Sequence, residues 1–127
     1  MDQASLTVVN RYILKQSAAD FRIAISALSA RVDREGHAGV LSYRFFVSED
    51  AGQARAVIDY ADASAWMGHH HIAMGWPEMA TLHAAASLDD ITFLGEVSPE
   101  ITDWLATSGL KARVHTGYGF AAGFRRS

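Results

Sequence analysis

The stretch SLTVVNRYILK, residues 5–15, decides how this chain folds. It is rich in β-branched and aromatic residues and lacks glycine and proline, which predicts a β-strand. Side chains of a strand alternate between its two faces, so Val8 and Tyr12 share one face while Val9 and Ile13 share the other. Because both faces carry apolar groups, the sheet that contains this strand should be covered on both sides.

Alternating helix and strand patterns follow this first strand. The predicted elements are a strand over 5–15, a helix over 17–36, strands over 40–47 and 54–61, a helix from 62 that Pro77 interrupts and that ends near 87, a strand over 89–97, a helix over 98–109 and a strand over 111–124. The order β-α-β-β-α-β predicts a ferredoxin-like α+β fold, an antiparallel sheet with helices on one face. We expect one domain over residues 1–127, with a core over 5–97 and a C-terminal α-β extension over 98–127.

Composition excludes several classes of function. A formal net charge of −3 and three sparse C-terminal arginines argue against a nucleic-acid partner. The absence of cysteine removes disulfide and thiolate chemistry and fits a cytoplasmic protein. The first residues lack a basic region followed by a long apolar run, and no stretch of about eighteen apolar residues occurs, so we expect no signal peptide and no membrane association.

Three consecutive histidines lie in the segment WMGHHHIAMGW, residues 66–76. Adjacent helical residues point about 100° apart, so the three imidazoles fan over roughly 200° and cannot bind one metal ion together. The segment also lacks the i, i+4 histidine pair with which a helix chelates best. We expect His69, one turn after Trp66, to face inward, and His70 and His71 to be solvated or to lie at a subunit interface.

Three features of the sequence resemble one family. They are the element order, the segment IDYADASAW over residues 58–66, and the step from Trp66 to His69 followed by a proline. They are similar to the dimeric α+β barrel proteins with an antibiotic biosynthesis monooxygenase type of domain. The resemblance implies a homodimer whose two sheets pack face to face, each protomer keeping a pocket between sheet and helices. In catalytic members a small aromatic or quinol-like molecule is oxygenated in that pocket without metal, flavin or haem.

The resemblance also implies site residues. Asn10 matches a functional asparagine of the first strand, while Trp66 and His69 match functional positions of the second helix, so these three are the predicted catalytic residues. An asparagine within an apolar strand is costly to bury unless its amide is satisfied, which also favours a role in a pocket. The predicted substrate-binding residues are Tyr12, Tyr43, Arg44, Tyr60, Met74, His115 and Tyr118.

Three alternatives remain open at the level of sequence. The chain could be a non-catalytic dimer on the same fold that binds a small hydrophobic molecule or has a structural role. It could handle haem, although the histidine of haem-degrading relatives aligns with Met79 here and His83 lies four residues later. It could also bind a metal ion, provided that His83 or His115 approaches the histidine triplet in space.

Overall fold

The computed structural model describes residues 6–126. Its elements are β1 (Leu6–Leu14), α1 (Ala18–Glu35), β2 (Val40–Ser48), β3 (Gln53–Tyr60), α2 (Ala63–Ala73), α3 (Pro77–Ala85), β4 (Ala86–Gly95), α4 (Pro99–Thr107) and β5 (Arg113–Tyr118). They form one five-stranded sheet in the order β2-β3-β1-β4-β5. β1 is antiparallel to both of its neighbours, while β5 runs parallel to β4. The ferredoxin-like α+β fold is confirmed, and the C-terminal extension makes the sheet mixed.

Helices begin where the sequence supplies a capping side chain. The side chains of Ser17, Asp62 and Ser98 accept hydrogen bonds from the free backbone N–H groups at the starts of α1, α2 and α4. Pro77 opens α3, where its missing N–H costs no helical hydrogen bond. The proline therefore separates two helices, one ending at Ala73 and the other starting four residues later.

Two predicted strand boundaries differ from the structure, and one strand pairs irregularly. β4 begins at Ala86 rather than at residue 89, since Leu14 of β1 pairs with Ala86. β5 ends at Tyr118 instead of residue 124, just after Gly117, whose φ of 92° lies in the left-handed region that glycine tolerates best. In β2 an irregularity in the pairing with β3 lies between Val40 and residue 42, and the Leu41 side chain is exposed.

The two faces of the sheet have different surroundings. On the inner face, Leu6, Val8 and Tyr12 are buried in a core shared with the helices, which includes Phe21 and Leu28 of α1. The outer face carries Phe46 and Ile13, both exposed in the single chain. Within residues 6–126, no helix is long and apolar enough to cross a membrane.

Candidate functional site

A cavity of about 420 Å³ lies between the inner face of the sheet and helices α2, α3 and α4. Tyrosine, tryptophan, methionine and histidine side chains form much of its wall. The lining residues used below are Asn10, Tyr12, Lys15, Tyr43, Tyr60, Trp66, His69, His70, Met74, His83, Ser87, Trp104 and Lys111. The pocket that the family resemblance implies, between sheet and helices, is therefore present in this chain.

The cavity follows the length of β1. Tyr60 lies at one end, since it pairs with Leu6 in the β1–β3 register. Asn10 lies halfway along the strand, opposite Ile91 of β4. Lys15 lies just past the other end of the strand. Different groups therefore line the inner end, the middle and the mouth of the cavity.

His69 lies at the inner end and is only 3% exposed. Its ring centroid is 5.6 Å from that of Tyr43 and 6.0 Å from that of Tyr60. Its Nδ1 atom is buried and has no hydrogen-bond partner among the described residues. Burial, aided by the nearby His37, lowers the pKa of His69 to about 4. The imidazole is therefore neutral at physiological pH and has an unsatisfied ring nitrogen.

His70 also lines the cavity, against the expectation that it would be solvated or lie at a subunit interface. Its ring stacks on Trp66 at a centroid distance of 3.8 Å and meets Trp104 of α4 edge-on at 5.3 Å. Its Nδ1 lies 2.8 Å from the Trp66 carbonyl oxygen, which fixes the proton on Nδ1 and leaves Nε2 as an acceptor. Burial and the adjacent His69 lower the pKa of His70 to about 3.

Asn10 and the tyrosines supply neutral polar groups to the cavity. The Asn10 amide nitrogen donates to the Tyr12 hydroxyl at 3.3 Å, while the Asn10 Oδ1 atom is buried without a partner among the described residues. Burial raises the pKa of Tyr12 to about 12 and also raises those of Tyr43 and Tyr60. All three hydroxyls therefore stay protonated and can donate to an anion formed in the cavity.

Of the predicted site residues, the structure brings seven together and leaves three outside. Asn10, Tyr12, Tyr43, Tyr60, Trp66, His69 and Met74 all line the cavity. Arg44 instead lies on the outer face, exposed and 6.0 Å from the ring of Phe46. His115 contacts Asp90 at 3.0 Å on β4, and Tyr118 is exposed at the end of β5. These three lie outside the cavity because their side chains alternate onto the other face of the sheet or onto its edge.

Several lining residues were not predicted as site residues. Trp104 lies on α4, and it contacts Trp66 and His70 because α4 packs on α2. Lys15 and Lys111 stand at the ends of the predicted strands over 5–15 and 111–124, whereas the structure places both outside the strands, after β1 and before β5. Proximity in sequence could not reveal these contacts, because they depend on how α4 closes over the cavity.

The histidine triplet diverges as the helical geometry requires. His69 and His70 line the cavity, whereas His71 is exposed on the opposite side of α2. Within residues 6–126, no group of three or more histidine, cysteine or acidic side chains is arranged to hold a metal ion.

A second, wider hollow of about 690 Å³ lies between α1 and β2. Its wall includes Ser26 and Asp33, which are exposed, and Ser29 and Ser42, which are half-buried. His37 at its edge is already engaged, because its Nδ1 accepts the Gly39 N–H at 2.9 Å. The smaller cavity is the better candidate site because it combines enclosure with buried polar atoms that lack partners.

Solved structures of several proteins share this fold. MupZ from Pseudomonas fluorescens is 14% identical with a TM-score of 0.65, over 98% of this chain and 91% of its own. SnoaB from Streptomyces nogalater, described as a cofactor-independent oxygenase, is 16% identical with a TM-score of 0.58, over 76% of this chain and 96% of its own. A protein described as an antibiotic biosynthesis monooxygenase is 18% identical with a TM-score of 0.54. The match covers 73% of this chain and 99% of that protein's chain.

These matches confirm the resemblance to antibiotic biosynthesis monooxygenase-type proteins at the level of the fold. The match with MupZ covers 98% of the chain and so includes most of the extension formed by α4 and β5. No protein-family model and no curated protein matches the sequence.

Proposed function

We propose that this protein is a cofactor-independent monooxygenase that oxidises a small aromatic or quinol-like molecule in the cavity along β1. The observation that carries the proposal is that two residues of the cavity wall each have a buried polar atom without a partner among the described residues, Nδ1 of His69 and Oδ1 of Asn10. Polar atoms buried without partners are costly in a folded protein, and a ligand that hydrogen-bonds to them removes that cost. The names of SnoaB and of the monooxygenase with the same fold support the choice of reaction.

The first chemical step in this proposal is removal of a proton from the substrate. In its Nε2–H tautomer, His69 has a lone pair on Nδ1 that accepts the proton of an acidic C–H or phenolic O–H group. Its low pKa makes it a weak base in the empty cavity. The substrate anion left beside the new imidazolium offsets this weakness, because opposite charges about 4 Å apart attract by roughly 4 kcal/mol at an effective dielectric constant near 20.

The second step is the reaction of the substrate anion with dioxygen. One electron passes from the anion to O₂, and the resulting radical and superoxide combine through a new C–O bond into a peroxide anion, which takes the proton from the imidazolium. The O–O bond then breaks as the remaining C–H proton leaves, giving a carbonyl group and water. For a methylene carbon the balance is CH₂ plus O₂ to C=O plus H₂O. The hydroxyls of Tyr12, Tyr43 and Tyr60 would stabilise the anionic species as donors.

The experiment that tests the proposal measures oxygen consumption by the purified protein with anthrone and with a hydroquinone. Replacing His69 with phenylalanine keeps a ring of similar size but removes the base, and should lower the rate by roughly a hundredfold or more. His71→Phe is the matched control, since it changes an exposed histidine of the same triplet. Asn10→Ala should also lower the rate.

The outcomes separate oxygenase activity from binding alone. Anthrone binding without oxygen consumption would contradict the oxygenase and favour a non-catalytic small-molecule-binding protein on the same fold. Equal losses in His69→Phe and His71→Phe would exclude a specific role for the buried imidazole. Thermal unfolding of each variant distinguishes loss of the base from loss of the fold.

The proposal includes a cytoplasmic homodimer whose sheets pack through their outer faces. Phe46 is 55% exposed, Leu94 40% and Ile13 39%, and a second copy would bury these side chains. Analytical ultracentrifugation of the wild type and of Phe46→Glu tests the assembly. A dimer that persists unchanged in the variant would contradict packing through this face.

A further inference from the structure

The mouth of the cavity contains both lysines of the chain. Apart from Lys15 and Lys111, every basic side chain of the sequence other than histidine is an arginine. Lys15 follows β1 directly, and Lys111 lies in the connection between α4 and β5. Both line the cavity, although they are 96 positions apart in the sequence.

The strand register explains why the two lysines meet. Leu14, just before Lys15, pairs with Ala86 at the start of β4. Arg113, two positions after Lys111, pairs with Asp90 on the same strand. Because β5 runs parallel to β4, the approach to β5 lies beside the beginning of β4. Lys15 and Lys111 therefore both lie at one end of the cavity, together with Ser87 of β4.

The charge at this mouth is unbalanced. None of the cavity-lining residues that the structure describes is an aspartate or glutamate. No ion pair joins either lysine to an acid within residues 6–126. Asp89 and Asp90, which follow the lining residues Ser87 and Leu88 on β4, are engaged by Arg11, Arg113 and His115. The mouth thus offers two cations to a ligand and no competing anion from the cavity wall.

We infer that the ligand is an aromatic carboxylic acid whose carboxylate lies between Lys15 and Lys111 while its ring system reaches towards His69. This inference rests on the proposed function, since it names the class of substrate that the same cavity takes. Lys15 lies five positions after Asn10, about 17 Å at roughly 3.4 Å per residue, of which the lysine side chain can span part. That length favours a fused ring system over a single ring.

A matched pair of ligands tests the inference. Anthrone-carboxylic acid and its methyl ester share the ring system and differ in charge, so their dissociation constants isolate the contribution of the carboxylate. The wild type should bind the acid roughly tenfold more tightly, since two partly exposed ion pairs each contribute a few-fold. The double variant Lys15→Met, Lys111→Met should bind acid and ester equally. Arg34→Met, which removes an exposed cation from α1, should keep the preference.

Because the chain has two lysines, NMR signals from a label on each lysine provide a second, direct measurement of ligand binding. Reductive methylation with carbon-13-labelled formaldehyde converts both to dimethyl-lysine, which keeps its charge. Two lysine signals, apart from that of the α-amino group, should appear in the NMR spectrum. Addition of the acid should shift both signals, and addition of the ester should leave them close to their original positions.

The outcomes distinguish this inference from the proposed function. Equal binding of acid and ester by the wild type, with oxygen consumption still dependent on His69, would overturn the carboxylate site and leave the oxygenase standing. Lysine-dependent binding of the acid without oxygen consumption would support the carboxylate site and overturn the oxygenase. If neither compound binds, both proposals fall.

Discussion

The two faces of the sheet differ in the hydrogen-bond partners of their polar side chains, although β1 contributes side chains to both faces. Asn10 and Tyr12 point inward to a region of neutral groups, where the Asn10 Oδ1 has no partner among the described residues. Arg11, between them, points outward, and its Nε donates to Asp89 at 3.0 Å. On the same outer face the Thr7 hydroxyl donates to Asp59 at 2.6 Å.

This difference shows how the strand pleat separates binding from surface chemistry. Inward positions hold neutral amide and phenol groups, and the Asn10 Oδ1 among them is buried without a partner within the described residues. Outward positions include charged groups paired with a neighbouring strand, such as Arg11 with Asp89 and Asp59 with Thr7. A shift of β1 by one residue would exchange the two sets, so the register of the central strand determines which groups line the cavity.

The largest expected difference between the two faces is in how much stability is lost when a large side chain is removed. Trp66 is 2% exposed, and its ring centroid is 5.7 Å from that of Phe93 and 5.4 Å from that of Trp104. Trp66→Ala should lower the free energy of unfolding by about 3–5 kcal/mol, because it removes a large buried side chain. Chemical denaturation monitored by circular dichroism measures this loss.

Phe46→Ala provides the outer-face counterpart to this prediction. Phe46 is 55% exposed, so at a protein concentration where the chain is monomeric its truncation should cost less than about 1 kcal/mol. Equal losses for the two variants would contradict the view that only the inner face is packed in a single chain.

A second difference between the faces should appear as a pH dependence. Burial lowers the pKa of His69 to about 4, whereas the unfolded chain has an ordinary histidine pKa near 6.5. Between these values the unfolded state binds a proton that the folded state does not, so the free energy of unfolding falls as the pH falls. From pH 7 to pH 5 the contribution of His69 should fall by about 2 kcal/mol. Urea denaturation at both pH values measures it.

The outer face should contribute its own pH dependence in a different range. The pKa of Asp90 is lowered, chiefly by the hydrogen bond with His115, so the stability it provides is present above its unfolded pKa and is lost at lower pH. The interval from pH 7 to pH 5 therefore isolates the histidines. His69→Gln should reduce the loss in that interval, and His71→Gln should leave it unchanged. A wild type whose stability is constant over this interval would contradict a buried neutral His69.

The order of elements could be predicted because each has a local pattern. The strand alternation around Val8 and the cap at Ser17 depend on neighbouring residues alone. The start of β4 could not be predicted, because residues 84–86 are all alanine and only the pairing with Leu14 places Ala86 in a strand. Local pattern therefore predicts which elements form, while pairing between distant strands determines where they begin.

The candidate site could be predicted in part for the same reason. Helical spacing placed His69 one turn from Trp66, on the buried side of α2. His70 was missed because its stacking against Trp66 is supported by Trp104, which a separate helix brings into contact. Arg44 was included because it lies between aromatic residues in sequence, although the pleat places it on the outer face.

The smallest expected effect concerns the ion pairs of the outer face. Arg11 and Asp89 have side chains 28% and 38% exposed, so Asp89→Asn should cost less than about 1 kcal/mol, and the cost should vanish in high salt. Asp33→Asn on α1 is the control for a general change in net charge. If Asp89→Asn instead costs about 3 kcal/mol and salt does not reduce the cost, the pair is shielded from water in solution. The outer face would then be covered as completely as the inner one, as a second copy of the chain packed against it would require.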